Sequence, residues 1–108
     1  MSGARLESLG AGRFRVNGVL DVGTAADVLK QSVERFSNVG RIDVDLGGVS
    51  EADSAGLALL IEWLRTARER SQQISFVNIP AQINALAKIS EVEELLNPAE
   101  AAKTQNSE

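Results

Sequence analysis

Apolar and polar residues alternate along several segments of the chain, which is the pattern of half-buried β-strands. The alternation is clearest at Arg13–Asn17, where Phe14 and Val16 are flanked by polar residues, and at Arg41–Leu46. A sheet covered on both faces gives continuous apolar runs instead, so this alternation indicates helices that cover mainly one face. The predicted strands are Leu6–Leu9, Arg13–Asn17, Arg41–Leu46 and Ile74–Ile79.

Other segments have the period of amphipathic helices. Thr24–Phe36 is predicted to be a helix with Thr24 as its N-cap, and Ala55–Arg70 a stronger one. A third helix is predicted over Ala81–Ile89, followed by a short turn at Val92–Leu96. The predicted core stripe of the second helix consists of Leu57, Leu60, Ile61, Leu64 and Ala67, and that of the first includes Ala25, Val28, Leu29, Ser32, Val33 and Phe36.

The predicted elements follow one another as β-β-α-β-α-β-α, with a short closing helix. A chain of 108 residues has room for one such core and not for two. From Pro98 onward the residues become small and polar, which is typical of chain ends without a core. We therefore predict one α/β domain over residues 1–97 and a disordered C-terminal tail over residues 98–108.

The composition excludes several classes of function. The chain has no Cys and no His, so disulfides, thiolate nucleophiles, Ser-His-Asp chemistry and ordinary zinc sites are ruled out. A net charge of −4 disfavours nucleic-acid binding and basic membrane-surface helices. No apolar run approaches the roughly 20 residues that span a bilayer, and no secretory signal is visible. We expect a cytoplasmic protein with no cofactor, no nucleic-acid partner and no direct membrane insertion.

One segment carries a motif. Between the strand at Arg41–Leu46 and the second helix, the chain reads Asp53-Ser54-Ala55-Gly56-Leu57. Either Asp53 or Ser54 can accept hydrogen bonds from the free N–H groups of the first helical turn. Gly56 allows a tight turn or the close approach of another chain. A strand, a loop and then Asp-Ser-x-Gly-Leu opening a helix resembles the signature of the STAS domain family.

The resemblance covers Phe14 to Leu96, because the order of the elements agrees as well as the motif. It implies the STAS fold, an α/β fold with a four-stranded mixed sheet and helices packed mainly on one face. It also implies that the loop around Ser54 lies at a partner interface. Plain helix capping remains an alternative explanation for Asp53 and Ser54.

Two branches of the family fit the sequence. Gly56–Ile61 and Ala85–Ile89 are similar to segments of the MlaB-like subunit of the Mla phospholipid-transport ABC system. That branch implies a non-catalytic subunit that binds the MlaF-like ATPase, in a complex with permease and lipid-binding subunits that maintains outer-membrane lipid asymmetry. The protein would then lie at the inner membrane through its partner.

The alternative branch is the anti-sigma-factor antagonists, which bind a kinase-like anti-sigma factor and are switched by phosphorylation at the position of Ser54. Gly18–Asp21 resembles the Gly-x-Leu-Asp of both branches, and a serine at position 54 does not separate them. The predicted partner-binding residues are Asp53, Ser54, Ala55, Gly56, Leu59 and Trp63.

Leu59 and Trp63 lie one helical turn apart and off the predicted core stripe of their helix. Two interpretations remain open from the sequence. The helix either has a wide buried face that half covers Trp63, or it exposes an apolar strip that docks a partner.

Overall fold

The computed structural model describes residues 3–96, which form strands and helices in the predicted order. The predicted tail, residues 98–108, lies outside the described residues. No helix in the described part of the chain is long and apolar enough to cross a membrane. The elements are β1 (Ala4–Gly10), β2 (Arg13–Leu20), α1 (Val22–Arg35), β3 (Arg41–Ala52), α2 (Ser54–Glu69), β4 (Gln73–Val77), α3 (Ala81–Ile89) and α4 (Glu93–Leu96).

The sheet has four strands in the order β1-β2-β3-β4. The hairpin of β1 and β2 is antiparallel, whereas β2 pairs with β3 and β3 with β4 in parallel. The alternation seen in the sequence separates the two faces, and the helices pack against the apolar one. The predicted mixed four-stranded sheet of the STAS fold is therefore confirmed. The strand residues buried under the helices are Leu6, Phe14, Val16, Leu20, Ile42, Val44, Leu46 and Phe76.

The other face of the sheet is polar and forms its own hydrogen bonds. Asp45 accepts from Arg15 at 3.1 Å, from Asn78 at 3.0 Å and from the Gly47 amide at 2.8 Å. These bonds, with that from the Asn78 side chain contributing most, lower the pKa of Asp45. Asn17 donates to Glu7 at 3.2 Å in the same way. Polar side chains on this face thus link neighbouring strands by hydrogen bonds.

A row of aromatic rings joins the sheet to the helices. Phe14, Phe36, Trp63 and Phe76 follow one another with ring centroids 4.9, 5.3 and 6.3 Å apart. The indole N–H of Trp63 donates to the buried Ser32 hydroxyl at 2.8 Å. That hydroxyl in turn donates to the carbonyl of its own helix at Leu29, at 2.7 Å. The polar atom of the only tryptophan is thus satisfied inside the core.

Of the two interpretations of Leu59 and Trp63, the structure shows the wide buried face and not the exposed strip. Their exposed fractions are only 4% and 3%, so Trp63 is fully rather than half covered. The reason is that α2 lies in the middle of the helical layer, between α1 on one side and α3 and α4 on the other. Contact with α1 rotates the buried face toward Leu59 and Trp63, and it leaves Ile61 and Leu64 only partly buried.

Three strands are longer than the sequence pattern predicted, β1 by residues at both of its ends, whereas β4 stops at Val77 rather than Ile79. β2 continues to Leu20 and β3 to Ala52, through residues that the alternation had left to loops. The pairing of β2 with β3 is interrupted by register shifts near Asn17 and after Gly18, which break the period of two. Val33, which was placed on the core stripe of α1, is 55% exposed.

We predict that Leu59→Asp unfolds the domain, whereas Ala58→Asp, at the exposed neighbouring position, leaves it folded. Leu→Ala in a core costs about 2–5 kcal/mol, and a buried unpaired carboxylate adds to that loss. Urea unfolding followed by Trp63 fluorescence measures both variants. A cooperative Leu59→Asp transition close to wild type would show that this side chain is not part of the core.

Candidate functional site

The starts of α1 and α2 lie side by side at one end of the sheet. β2 and β3 are parallel neighbours, and Leu20 at the end of one strand is paired with Ala52 at the end of the other. Each strand is followed after one residue by its helix, so both helices begin at the same edge. The Asp53 amide donates to the Leu20 carbonyl at 3.2 Å, which ties the two strand ends together.

The start of α1 is closed by a capping box. The Asp21 carboxylate accepts from the Thr24 amide at 2.9 Å, and the Asp21 amide donates to the Thr24 hydroxyl at 2.8 Å. The prediction of Thr24 as N-cap is therefore wrong, because Asp21 takes that position and Thr24 is the third residue of the helix. The bond from the Thr24 amide is the largest cause of the lowered pKa of Asp21.

The start of α2 is capped by Asp53. Its carboxylate accepts from the Ala55 amide at 2.8 Å, and its carbonyl accepts from the Gly56 amide at 3.0 Å. Ser54 is the first residue of the helix, its side chain is exposed, and its hydroxyl forms no hydrogen bond with any of residues 3–96. Capping therefore accounts for Asp53 and leaves the Ser54 hydroxyl free.

Gly56 is buried within the first turn of α2. A β-carbon at this position would lie 3.2 Å from both Ala52 Cβ and Ile83 Cδ1, and 3.4 Å from Leu20 Cβ. These contacts are tighter than those of most side chains, so a glycine lets α2 approach the strand ends and α3 closely. A tight turn and the close approach of another chain were the two roles expected for Gly56. The structure shows a close approach, but the groups that approach Gly56 belong to this chain.

The predicted site residues thus fall into three groups. Asp53 and Ser54 are exposed at the helix start, and Ala55 is half-buried beside them. Gly56 is buried beneath that surface and supports it. Leu59 and Trp63 lie further along α2, inside the core, and contribute nothing to the surface.

The sequence reasoning missed two residues at this end. Asp21 caps the neighbouring helix, and the Asp-x-x-Thr spacing before an apolar stripe is the signal that could have identified it. Val22, the first residue of α1, is 78% exposed although it is apolar. No pattern in the sequence marks it, because its exposure follows from the position at which α1 begins.

The polar groups at this end include one exposed hydroxyl and its neighbouring carboxylates. The charged groups beside Ser54 are the exposed carboxylates of Asp21, Glu51 and Asp53. Two of them already serve as helix caps, and no group of residues in the range 3–96 could hold a metal ion. Grooves of about 190 and 610 Å³ lie elsewhere, toward the C-terminal half of α2. The exposed Ser54 hydroxyl lines neither of these grooves.

Solved structures with the same fold support this assignment of the architecture. The anti-sigma factor antagonist SpoIIAA in its unphosphorylated form has a TM-score of 0.66 at 18% identity, covering 98% of both chains. The Bacillus cell fate determinant SpoIIAA in the phosphorylated form gives a TM-score of 0.63 at 16% identity, over 83% of this chain and 85% of that one.

The fold also occurs within a larger protein. Mglu matches with a TM-score of 0.56 at 21% identity, over 73% of this chain but only 20% of its own. No curated protein sequence matches the chain.

The family model described as "Mlab, STAS domain" matches residues 5–97, which includes every strand and helix of the structure except the first residue of β1. The chain therefore belongs to the MlaB-type STAS domain family.

Proposed function

We propose that this protein is a non-catalytic subunit that binds and stabilises the ATPase of an Mla-type ABC phospholipid transporter. The proposal rests mainly on Ser54, whose hydroxyl is exposed at the first turn of α2 and is not needed for capping. Membership in the MlaB-type family supports the choice of partner. In this role the protein is cytoplasmic and reaches the inner membrane only through the transporter complex.

The contact surface follows from the geometry of the two helix starts. Ser54 and Ala55 form its centre, Asp53 holds the backbone of the turn, and Val22 adds exposed apolar area from the adjacent helix. Gly56, Leu59 and Trp63 act from below, by fixing the position of α2 against the sheet and α1. A surface of this kind is preorganised, so little conformational entropy is lost when a partner docks.

The proposed mechanism is a shift in the conformational equilibrium of the ATPase. A bound subunit changes that equilibrium only as far as its affinity differs between the two conformations. Docking of the Ser54 surface would therefore favour the assembled, active conformation. The ATP chemistry would belong to the partner. The Gly47-Gly48 dipeptide of this chain lacks both the Lys and the residue spacing of a phosphate-binding loop.

The alternative is an anti-sigma-factor antagonist switched by phosphorylation of Ser54. The specific observation in its favour is the structural similarity to SpoIIAA, known in both an unphosphorylated and a phosphorylated form. A phosphate on Ser54 would lie at the positive end of the α2 dipole, beside the Ala55 and Gly56 amides that donate to Asp53. It would also add roughly −1.5 to −2 charges beside Glu51 and Asp53, which would weaken binding to a partner packed on this surface.

We predict that Ser54→Arg weakens binding to the transporter ATPase at least about tenfold, or 1.4 kcal/mol, while the domain stays folded. The side chain points to solvent in the free protein, so its enlargement obstructs only a docked partner. Ser37→Arg, at an exposed position beyond the far end of α1, is the matched control and should bind normally. Titration calorimetry with the purified ATPase measures both. Unchanged affinity of Ser54→Arg would remove the Ser54 surface from the interface.

The two candidate functions differ in one covalent modification. For the transporter subunit, intact-mass measurement of the protein isolated from its native cells should give the unmodified mass. A substantial fraction heavier by one phosphoryl group, absent from Ser54→Ala, would favour the antagonist instead. Ser54→Ala should stay folded in either case, since the hydroxyl caps no amide of residues 3–96.

A further inference from the structure

A groove of about 610 Å³ runs between the C-terminal half of α2, the start of β4 and α4. Its floor is apolar and is formed by Ile61, Leu64 and Ile74, each of which is only partly buried. This groove lies on the flank of α2 opposite to α1, and it is separate from the Ser54 surface at the start of the helix.

One wall of the groove carries an exposed apolar side chain. Leu95 of α4 is 48% exposed, and the following residue, Leu96, is 3% exposed and belongs to the core. Burial of Leu96 fixes the orientation of this short helix. Leu95 is therefore held at the edge of the groove. Its side chain projects beside the apolar floor and does not cover it.

The two walls also carry opposite charges. Arg65 and Arg68 lie on the α2 wall, and Glu94 lies on the α4 wall. Arg65 is already paired with Glu62 and with Glu69, the latter at 2.8 Å. Arg68 and Glu94 form no ion pair with any of residues 3–96, so each is available to a group from outside the described chain.

We propose that this groove is the contact surface for a second copy of the same chain. A two-fold axis makes an interface self-complementary, because residue i of one copy meets residue j of the other and the reverse contact follows. Leu95 of each copy would insert over Ile61, Leu64 and Ile74 of the other. Arg68 of each copy would then face Glu94 of the other. Each copy would therefore contribute its projecting Leu95, its apolar floor and both charged residues to the contact.

The groove is small compared with a stable protein–protein interface. Ten residues of each copy line it, whereas a stable interface of standard size uses roughly 20–30 residues per side. We therefore expect a weak dimer that forms with rising protein concentration and is weakened by salt. Because the contact involves the C-terminal half of α2, the Ser54 surface of each copy stays free, and the inference does not depend on the proposed partner.

Sedimentation equilibrium of the full chain over a wide range of concentrations tests the dimer. The weight-average mass should rise from 11.5 kDa toward twice that value. A mass that stays at 11.5 kDa at every concentration would overturn the proposal.

Variants of the exposed groove residues test the geometry without touching the core. Leu95→Asp, Arg68→Glu and Glu94→Arg should each raise the dimer dissociation constant at least about tenfold. The double variant Arg68→Glu/Glu94→Arg should restore dimerisation, because the charge pair is regenerated with reversed sign. Lys88→Glu, which makes the same charge change as Arg68→Glu at an exposed position outside the groove, is the control.

The double variant separates this contact from other causes of association. Dimerisation that persists in Leu95→Asp, or that the double variant fails to restore, would place the interface elsewhere. Leu95→Asp could instead leave the weight-average mass equal to that of the wild-type protein and weaken binding to the ATPase. The groove would then belong to that partner, and the dimer proposal would be wrong while the proposed function stood.

Discussion

The site depends on the parallel pairing of β2 with β3. Parallel strands that end at the same level deliver their following helices to the same edge of the sheet, and Leu20 and Ala52 are paired at that level. The bond from the Asp53 amide to the Leu20 carbonyl locks the two ends together. Gly56 then allows α2 to lie closely against Ala52 and Ile83. Without this pairing, Ser54 and Val22 would not share one surface.

The core constrains the site from below. Trp63 lies between Phe36 and Phe76 and donates its indole N–H to Ser32 of α1, which fixes the rotation of α2 about its axis. That rotation decides which residues of α2 are exposed. It places Ser54 and Ala58 outward and Leu59 inward, so the residue pattern at the surface is a consequence of core packing rather than of local propensity.

The sequence predicted the type and order of the elements, because each has a clear period. The bounds of α3 were predicted correctly at both ends, since Pro80 precedes the helix and its apolar stripe stops at Ile89. The strand ends at Leu20 and Ala52 could not be predicted, because register shifts interrupt the alternation there. The predicted stripe of α2 is buried at Leu57, Leu60 and Ala67. The sequence left open whether the buried face extends to Leu59 and Trp63, since that depends on α1 packing on one flank, a contact between residues distant in the chain. The motif predicted that Ser54 lies at the start of α2, but only the structure assigns the cap to Asp53.

We propose that the adjoining starts of α1 and α2 form the surface that binds the partner. Hydrogen–deuterium exchange of the protein, free and in complex with the transporter ATPase, tests this most directly. The first-turn amides of α1 and α2 are held by the exposed caps Asp21 and Asp53, and a docked partner would slow the local opening that lets them exchange. Binding is expected to slow exchange in residues 21–24 and 53–58 and to leave β1 and the start of β2 unchanged. Protection confined to other parts of the chain, with these two turns unaffected, would contradict it.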